Sequence, residues 1–431
     1  MDDRSAELAR TANWPLVFCM ACVMLCEGFD IIIYSSLIPV LIDDAGMGVS
    51  KATAGIIGSM TFLGMVVGGV SAGAVKRRLG YVRTVFFGVA WFSLAVVATA
   101  FAPGAAALGL LRALAGLGLG VVLPVAMSCA RGYASQSMAA LVISVVMTGI
   151  PFGGLVAALC CASPLLGFGW RPLMFLAGLI GLVLTAVLGP RVGRLVATSG
   201  RLPGDRPDGF FGGRVAAERP ESASASMVDG RSGGARVRFE GRSLLLLCLL
   251  CATTFLFLMG YYGLSTWLVQ LMREFELPLD NSLQMMLVLN FGCVLGSLLT
   301  AWVATRVSVK AVSMASATLA ALCLFGIAAR PGDGVVMMAL VFFAGIGAIS
   351  AQNLTNALVS NAFPEEARSA ALGVTLGVGR LGAVASPAIG GFILQMGLDP
   401  GYVLAMLGLA DVLGAVLLVP YVARGRGAGV R

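Results

Sequence analysis

Long apolar runs separated by short polar turns fill this chain, and none shows the strict alternation that marks a half-buried strand. Each run is about 20 residues or more, the length an α-helix needs to cross roughly 30 Å of hydrocarbon. They lie at about 14–42, 52–75, 82–101, 105–129, 137–162, 171–189, 243–271, 282–304, 309–329, 334–359, 369–394 and 400–423. The pattern predicts an all-α membrane protein with twelve transmembrane helices in two six-helix halves. A transmembrane β-barrel would need ten-residue alternating segments, which the sequence lacks.

One long polar break interrupts the series. From Arg191 to Arg242 the chain is Gly, Ser, Arg and Pro with scattered acids, too polar to bury and without sustained period. The expected organisation is an N-terminal half over 1–190, a flexible cytoplasmic linker over 191–242 and a C-terminal half over 243–431. Pro151-Phe152-Gly153-Gly154 has an echo in Pro387-Ala388-Ile389-Gly390-Gly391, and the basic turn after the second helix has one in Arg306–Lys310, which points to internal duplication.

Composition sharpens this picture. Of 431 residues 58% are hydrophobic and 12% charged, with mean hydropathy +0.94, which excludes a soluble globular protein. The 57 glycines fit close helix packing in lipid. A net charge of +8 would suit nucleic acid if it were clustered on one face. Instead the cations fall in alternate loops: Lys76, Arg77, Arg78 and Arg83, then Arg131, then ten arginines between 191 and 242. The opposite loops carry only Lys51, Arg171, Arg273 and Arg330, beside Asp43, Asp44, Glu274, Glu276, Asp280, Asp333 and Asp399. The positive-inside rule therefore places both termini in the cytoplasm of a bacterium, with the chain in its inner membrane, and no nucleic acid is expected as a partner. No removable signal peptide is expected at the N-terminus. Cys19, Cys22 and Cys26 share a helix face, but the chain has no histidine and no further thiols at ligand spacing. They read as small apolar residues, and no metal or other cofactor is expected. A monomer in the lipid bilayer is the expected state.

The candidate chemistry lies in the few charges left inside the runs: Glu27, Asp30, Arg112, Arg380 and Asp411. Each costs roughly 2.5–3.5 kcal/mol at the bilayer centre on insertion scales, so something must face it. Glu27 and Asp30 are one helical turn apart and repel when both are ionised, so one of them tends to hold a proton. A proton-coupled machine needs this. Arg380 lies roughly 16 Å into its helix, and its planar fork suits a carboxylate. Arg112, followed by Gly116, Gly118 and Gly120, reads as a mixed structural and coupling residue near the substrate. The alternative for both arginines is pairing with the buried acids. Asp411 reads as a neutral or paired aspartate and is set outside the site. Tyr34, Tyr262, Trp267 and Asn353 complete the candidate substrate lining, from a wider set with Tyr261, Asn290, Gln352 and Asn356. Packing is the competing role for the aromatics, and an interfacial belt is the alternative for Trp267.

These motifs carry a resemblance. Six helices, a linker and six helices look like the major facilitator fold. Glu27-Gly28-Phe29-Asp30 is similar to the Asp-Gly-Phe-Asp signature of the aromatic acid:proton symporters, the 4-hydroxybenzoate/benzoate-type transporters. Arg112-x3-Gly116-x-Gly118-x-Gly120, Phe363-Pro364-x3-Arg368, Gly379-Arg380-x-Gly382 and Pro387 resemble that family's later motifs. The resemblance implies that Glu27 and Asp30 serve proton coupling, that Arg112 is required, and that the substrate is a ring compound bearing a carboxylate. The chain departs from it where acids of a cytoplasmic charge latch are expected, since Arg77, Gly132 and Thr305 stand there. The expected function is proton-coupled import of a small organic, aromatic carboxylate by alternating access, without enzymatic activity. The alternatives are proton-driven efflux on the same fold, suggested by Gly149-Ile150-Pro151-Phe152-Gly153-Gly154, and a transporter-derived sensor acting through the linker.

Overall fold

The computed structural model describes residues 12–134, 138–198, 241–363 and 365–424. Among them, twelve helices are long and apolar enough to cross a membrane. They are α1 (Trp14–Asp43), α2 (Lys51–Leu79), α3 (Tyr81–Thr99), α4 (Ala105–Gly132), α5 (Ala139–Ala162) and α6 (Trp170–Thr198), then α7 (Arg242–Glu274), α8 (Leu279–Ala304), α9 (Val309–Ala328), α10 (Gly334–Ala362), α11 (Glu365–Gln395) and α12 (Gly401–Arg424). A short 3-10 turn, Pro164–Phe168, leads into α6.

Local sequence sets several of the ends. Ser50 and Thr53 form a reciprocal capping box that starts α2, and the Asn13 and Asp333 side chains accept backbone N–H bonds at the starts of α1 and α10. The sixth helix runs on to Thr198, past the boundary expected at 190, because Val192 and Val196 are buried along its last turns. The rest of the polar stretch, 199–240, lies outside the described residues, as do the N-terminal 1–11 and the C-terminal 425–431.

The helix pairings of the first six recur in the second six. In the first set α1 packs on α5 and α6, α4 on α2 and α3, and α3 on α6. In the second, α7 packs on α11 and α12, α10 on α8 and α9, and α9 on α12. The two sets meet through α2 with α11, α5 with α8, and α1 with α7. Glycine lets the paired backbones touch. A Cβ at Gly28 would lie 1.8 Å from the Ile150 carbonyl oxygen, and one at Gly382 would lie 2.1 Å from that of Phe255. Large apolar side chains such as Phe18, Val70, Phe101 and Leu322 point outward, as lipid-facing positions should.

Candidate functional site

Gly28 explains how α1 presents its carboxylates. It seats α1 against α5, and at 100° per residue Glu27 and Asp30 then both point away from that contact. Each is buried, yet they have different surroundings.

Asp30 is engaged through one carboxylate oxygen and its backbone carbonyl, while its Oδ2 has no hydrogen-bond partner among the described residues. Its Oδ1 accepts from Arg112 Nη1 at 2.7 Å, its carbonyl oxygen accepts from Nη2 at 3.3 Å, and Arg112 Nε donates to Thr61 Oγ1 at 3.1 Å. The guanidinium lies 4.9 Å from the centre of the Tyr34 ring, and the Tyr34 hydroxyl donates to the Ala54 carbonyl at 2.7 Å. All of these residues belong to α1, α2 and α4. A void of about 10 Å³ sits beside them, lined by Tyr34, Thr61, Phe62, Arg112 and Thr266 among others, with room for about one water.

Glu27 has no such partner. Neither carboxylate oxygen meets a hydrogen-bond donor among the described residues. The cation that acts on it is Arg380, from α11, and the same field reaches Tyr262 on α7. Arg380 spans the seam to donate Nη1 to the Met65 carbonyl of α2 at 3.0 Å, and no other hydrogen bond holds its guanidinium among the described residues. The Tyr262 ring packs at a tilt against Phe62 of α2, centroids 4.6 Å apart, and edge-on against Tyr261 at 5.0 Å. Glu27, Arg380, Tyr262 and Phe62 thus form a second cluster, built from both sets of helices.

The remaining candidates lie elsewhere. Arg112, expected in the substrate lining, is engaged by Asp30, the pairing that was its alternative reading. Trp267 belongs neither to the clusters nor to an interfacial belt. It is fully buried where α2, α7 and α11 meet, and its indole N–H donates to the Pro387 carbonyl at 3.0 Å. Gly55, Gly390 and Gly391 leave space for its ring. Asn353 donates to Ser297 Oγ at 3.4 Å and links α10 to α8. Asp411, read from sequence as neutral or paired, has no hydrogen-bond partner on either oxygen among the described residues.

Sequence reasoning missed Thr61 and Phe62, ordinary apolar-helix residues whose roles depend on the α2–α4 and α2–α7 contacts. It also missed a set of contacts at the rim where α1 ends and α2 begins. Lys51 pairs with Glu274 at 2.6 Å and Arg273 with Asp43 at 3.6 Å, each joining one set of helices to the other. Farther in along the same seam, Ser59 Oγ donates to the Val384 carbonyl at 2.6 Å. The two sets are therefore closed together at this rim. Trp170 donates to Asp44 Oδ2 at 3.0 Å nearby, and this bond, more than the Gly46 N–H and Arg171, holds the Asp44 carboxyl below its ordinary range. The larger cavity, about 610 Å³ between α7 and α11, is lined by apolar residues and cysteines from Leu244 to Val378 and carries no charge to hold an anion.

Twelve helices in two matching sets, meeting around buried charges, define a membrane carrier. The chain belongs to the Major Facilitator Superfamily, whose family model matches residues 20–387 and 250–429. This is a family of transporters and not of enzymes, and the chain is accordingly a multi-pass membrane protein. It is 31% identical over 396 residues to a gentisate transporter of Corynebacterium glutamicum, covering 91% of this chain and 84% of that one. It is 26% identical to a benzoate transport protein of Acinetobacter baylyi, covering 94% and 88%. It is 27% identical to the 4-hydroxybenzoate transporter PcaK of Pseudomonas aeruginosa, covering 94% and 92%. Among solved structures it is similar to a partially occluded, inward-open form of the xylose transporter XylE from E. coli, with TM-score 0.71, 14% identity and coverage of 97% and 99%. At that identity the likeness concerns the fold alone.

Proposed function

We propose that the protein is a proton-coupled symporter that imports a small aromatic carboxylate across the bacterial cytoplasmic membrane by alternating access. The observation that carries this reading is Glu27, a buried carboxylate without a hydrogen-bond donor among the described residues, within electrostatic reach of Arg380 from the opposite set of helices. Arg380 has donors free for a substrate carboxylate, and the Tyr262–Phe62 pair offers ring faces to an aromatic body. When the substrate anion takes Arg380, a proton on Glu27 removes the charge left behind, and the loaded carrier rocks without exposing a bare ion to lipid. Asp30 and Arg112 hold the proton-coupling helix in register. Gentisate, benzoate and 4-hydroxybenzoate, named for the relatives, set the substrate class. The working unit in this reading is a monomer of two halves joined by a cytoplasmic linker, with both termini in the cytoplasm, an orientation that the loop charges favour.

The test is uptake of radiolabelled gentisate, benzoate and 4-hydroxybenzoate into cells and liposomes, with and without a protonophore, for wild type, Glu27→Gln and Arg380→Ala. Protonophore-sensitive uptake that both variants lose is the expected result. Uptake that is indifferent to the protonophore would overturn symport, and proton-driven accumulation in inverted vesicles would replace import by efflux.

A further inference from the structure

A third buried carboxylate lies apart from both clusters. Asp411, near the middle of α12, is 1% exposed, and neither of its oxygens has a hydrogen-bond partner among the described residues. Both deep arginines are occupied elsewhere, Arg112 by Asp30 and Arg380 at the Met65 carbonyl. The helices packed on α12 are α7, α9 and α11. Their titratable side chains with described positions are Cys248, Cys251, Tyr261, Tyr262, Arg273 and Glu274 on α7, Lys310 and Cys323 on α9, and Arg380 on α11. Neither Asp411 oxygen has a hydrogen bond with any of them.

The carboxyl faces the bare backbone of α7 at Gly260, where a Cβ would lie 2.6 Å from Oδ1. Tyr262 is two residues on, 200° around the helix, so α7 stands as a one-helix wall between Asp411 and the Tyr262–Phe62 pair. That part of the wall is weak. Gly260 and Gly263 both lack side chains, and the Met259 carbonyl also accepts from Ser386 Oγ of α11 at 2.8 Å. Glycines and a side chain inserted at the helix ladder are two recognised sources of helix bending.

We infer that Asp411 is a second proton-binding site, separate from the α1 carboxylates, and that its proton controls bending of α7 at Gly260–Gly263. The buried α7–α12 contact accommodates the neutral acid, whereas an ionised carboxylate without donors is costly there. When α7 bends at Gly260–Gly263 and admits water, the carboxyl returns its proton to that water. The carboxylate then requires N–H donors, and the nearest source is the α7 backbone if its ladder opens at Gly260. Rebinding a proton from water closes the ladder again. Loading of Asp411 thereby moves the segment that carries Tyr261 and Tyr262. The role in a transport cycle rests on the carrier reading above, but the tests need no substrate.

Full-length protein in liposomes is titrated with base and followed by difference infrared spectroscopy. Wild type should lose a protonated-carboxyl C=O band that is missing in Asp411→Asn and retained in Glu27→Gln. Hydrogen exchange of the α7 peptides is then compared at one alkaline pH. Asp411→Asn, which mimics the neutral acid, should slow exchange around 259–264 roughly tenfold, on the order of one backbone hydrogen bond. The smaller Asp411→Ser replaces it if the amide is not accommodated. A titration difference spectrum unchanged by the Asp411 variants would overturn the proton site. Equal α7 exchange in wild type and variant would overturn the coupling to bending.

Discussion

Glu27 and Asp30 sit one turn apart on the same helix, yet they have opposite kinds of environment. Asp30 is held by Arg112, which Thr61 and Tyr34 contact in turn, all within the first set of helices, so this group travels as one body when the halves rock. Glu27 has no donor among the described residues, and the cation that acts on it belongs to the other set. Its surroundings must therefore change whenever the halves move. A carboxylate paired within one half is an anchor, while one balanced across the seam is a switch. Helix spacing alone cannot separate the two, because the partners come from α4 and α11.

The anchor should show the larger effect on folding. Asp30→Asn leaves the Arg112 guanidinium buried without its counter-ion, and Arg112→Leu does the reverse. Breaking a buried pair from one side typically costs about 3–5 kcal/mol. Each single variant should lose most of its folded yield, measured by size-exclusion chromatography of a fluorescent fusion. Asp30→Asn with Arg112→Gln should recover part of the yield without recovering transport. Wild-type yield from both single variants would end the anchor reading.

Glu27→Gln should divide the two roles in the other direction. No partner is lost, so the melting temperature should stay near that of wild type. Concentrative uptake should fall at least tenfold, on the order of the 1.4 kcal/mol attached to one proton-binding step of one pH unit, while substrate exchange across the membrane continues. A variant that still accumulates substrate against its gradient would place the coupling proton elsewhere.

Between these effects lies the glycine that aims both carboxylates. Gly28→Ala puts a methyl group against the Ile150 carbonyl, which is backbone and cannot turn aside. Overpacking of this kind costs about 1–3 kcal/mol. Loss of thermal stability should be matched by loss of uptake, since Glu27 and Asp30 would both rotate with the displaced helix. An unaltered melting curve would mean that α1 and α5 separate more readily than their packing implies.

The contrast also explains what could be read before the structure. Twelve apolar runs are a one-dimensional signal, and the helices follow them to within a few residues except at the end of α6. The deep charges were equally visible, because an ionisable residue in such a run stands out by itself. Pairwise choices were not. Arg112 and Arg380 look alike in sequence, each beside a row of glycines, and only the packing of α1 on α4 assigns Asp30 to the first. Trp267 looked like lining because its helix carries Tyr261 and Tyr262, but its indole faces Pro387 across a gap that Gly390 and Gly391 create. Thr61 and Phe62 carry no signal of their own.

A second contrast sets the two rims of the molecule against each other. Acids expected at Arg77, Gly132 and Thr305 are missing beside the basic turns, whereas Lys51–Glu274 and Arg273–Asp43 join the two sets of helices at the other rim. Surface pairs are worth about 0–1 kcal/mol each, so they bias a balance and do not hold a fold. Glu274→Lys should move the carrier toward the form open at this rim by roughly fivefold or less, read from labelling of cysteines introduced along the seam. Lys51→Glu in the same chain should restore the original balance. A shift that the swap leaves uncorrected would point to the Gln270–Glu274 hydrogen bond instead.

The smallest effect belongs to Asp44, on that rim but within one set of helices. Its carboxyl lies below the ordinary value of 3.8, first through the bond from Trp170 and then through the Gly46 N–H and Arg171. A carboxyl held lower when folded than when unfolded adds stability above the unfolded value and loses it as pH falls through the folded one. Trp170→Phe keeps the ring and removes the N–H donor. The variant should melt slightly below wild type at about pH 7, and the two curves should converge as pH falls below about 4. Because the carboxyl is nearly open to water, solvent screens its interactions and the gap should stay small. A gap that persists unchanged in acid would assign it to packing of the indole on its neighbours and not to the charge of Asp44.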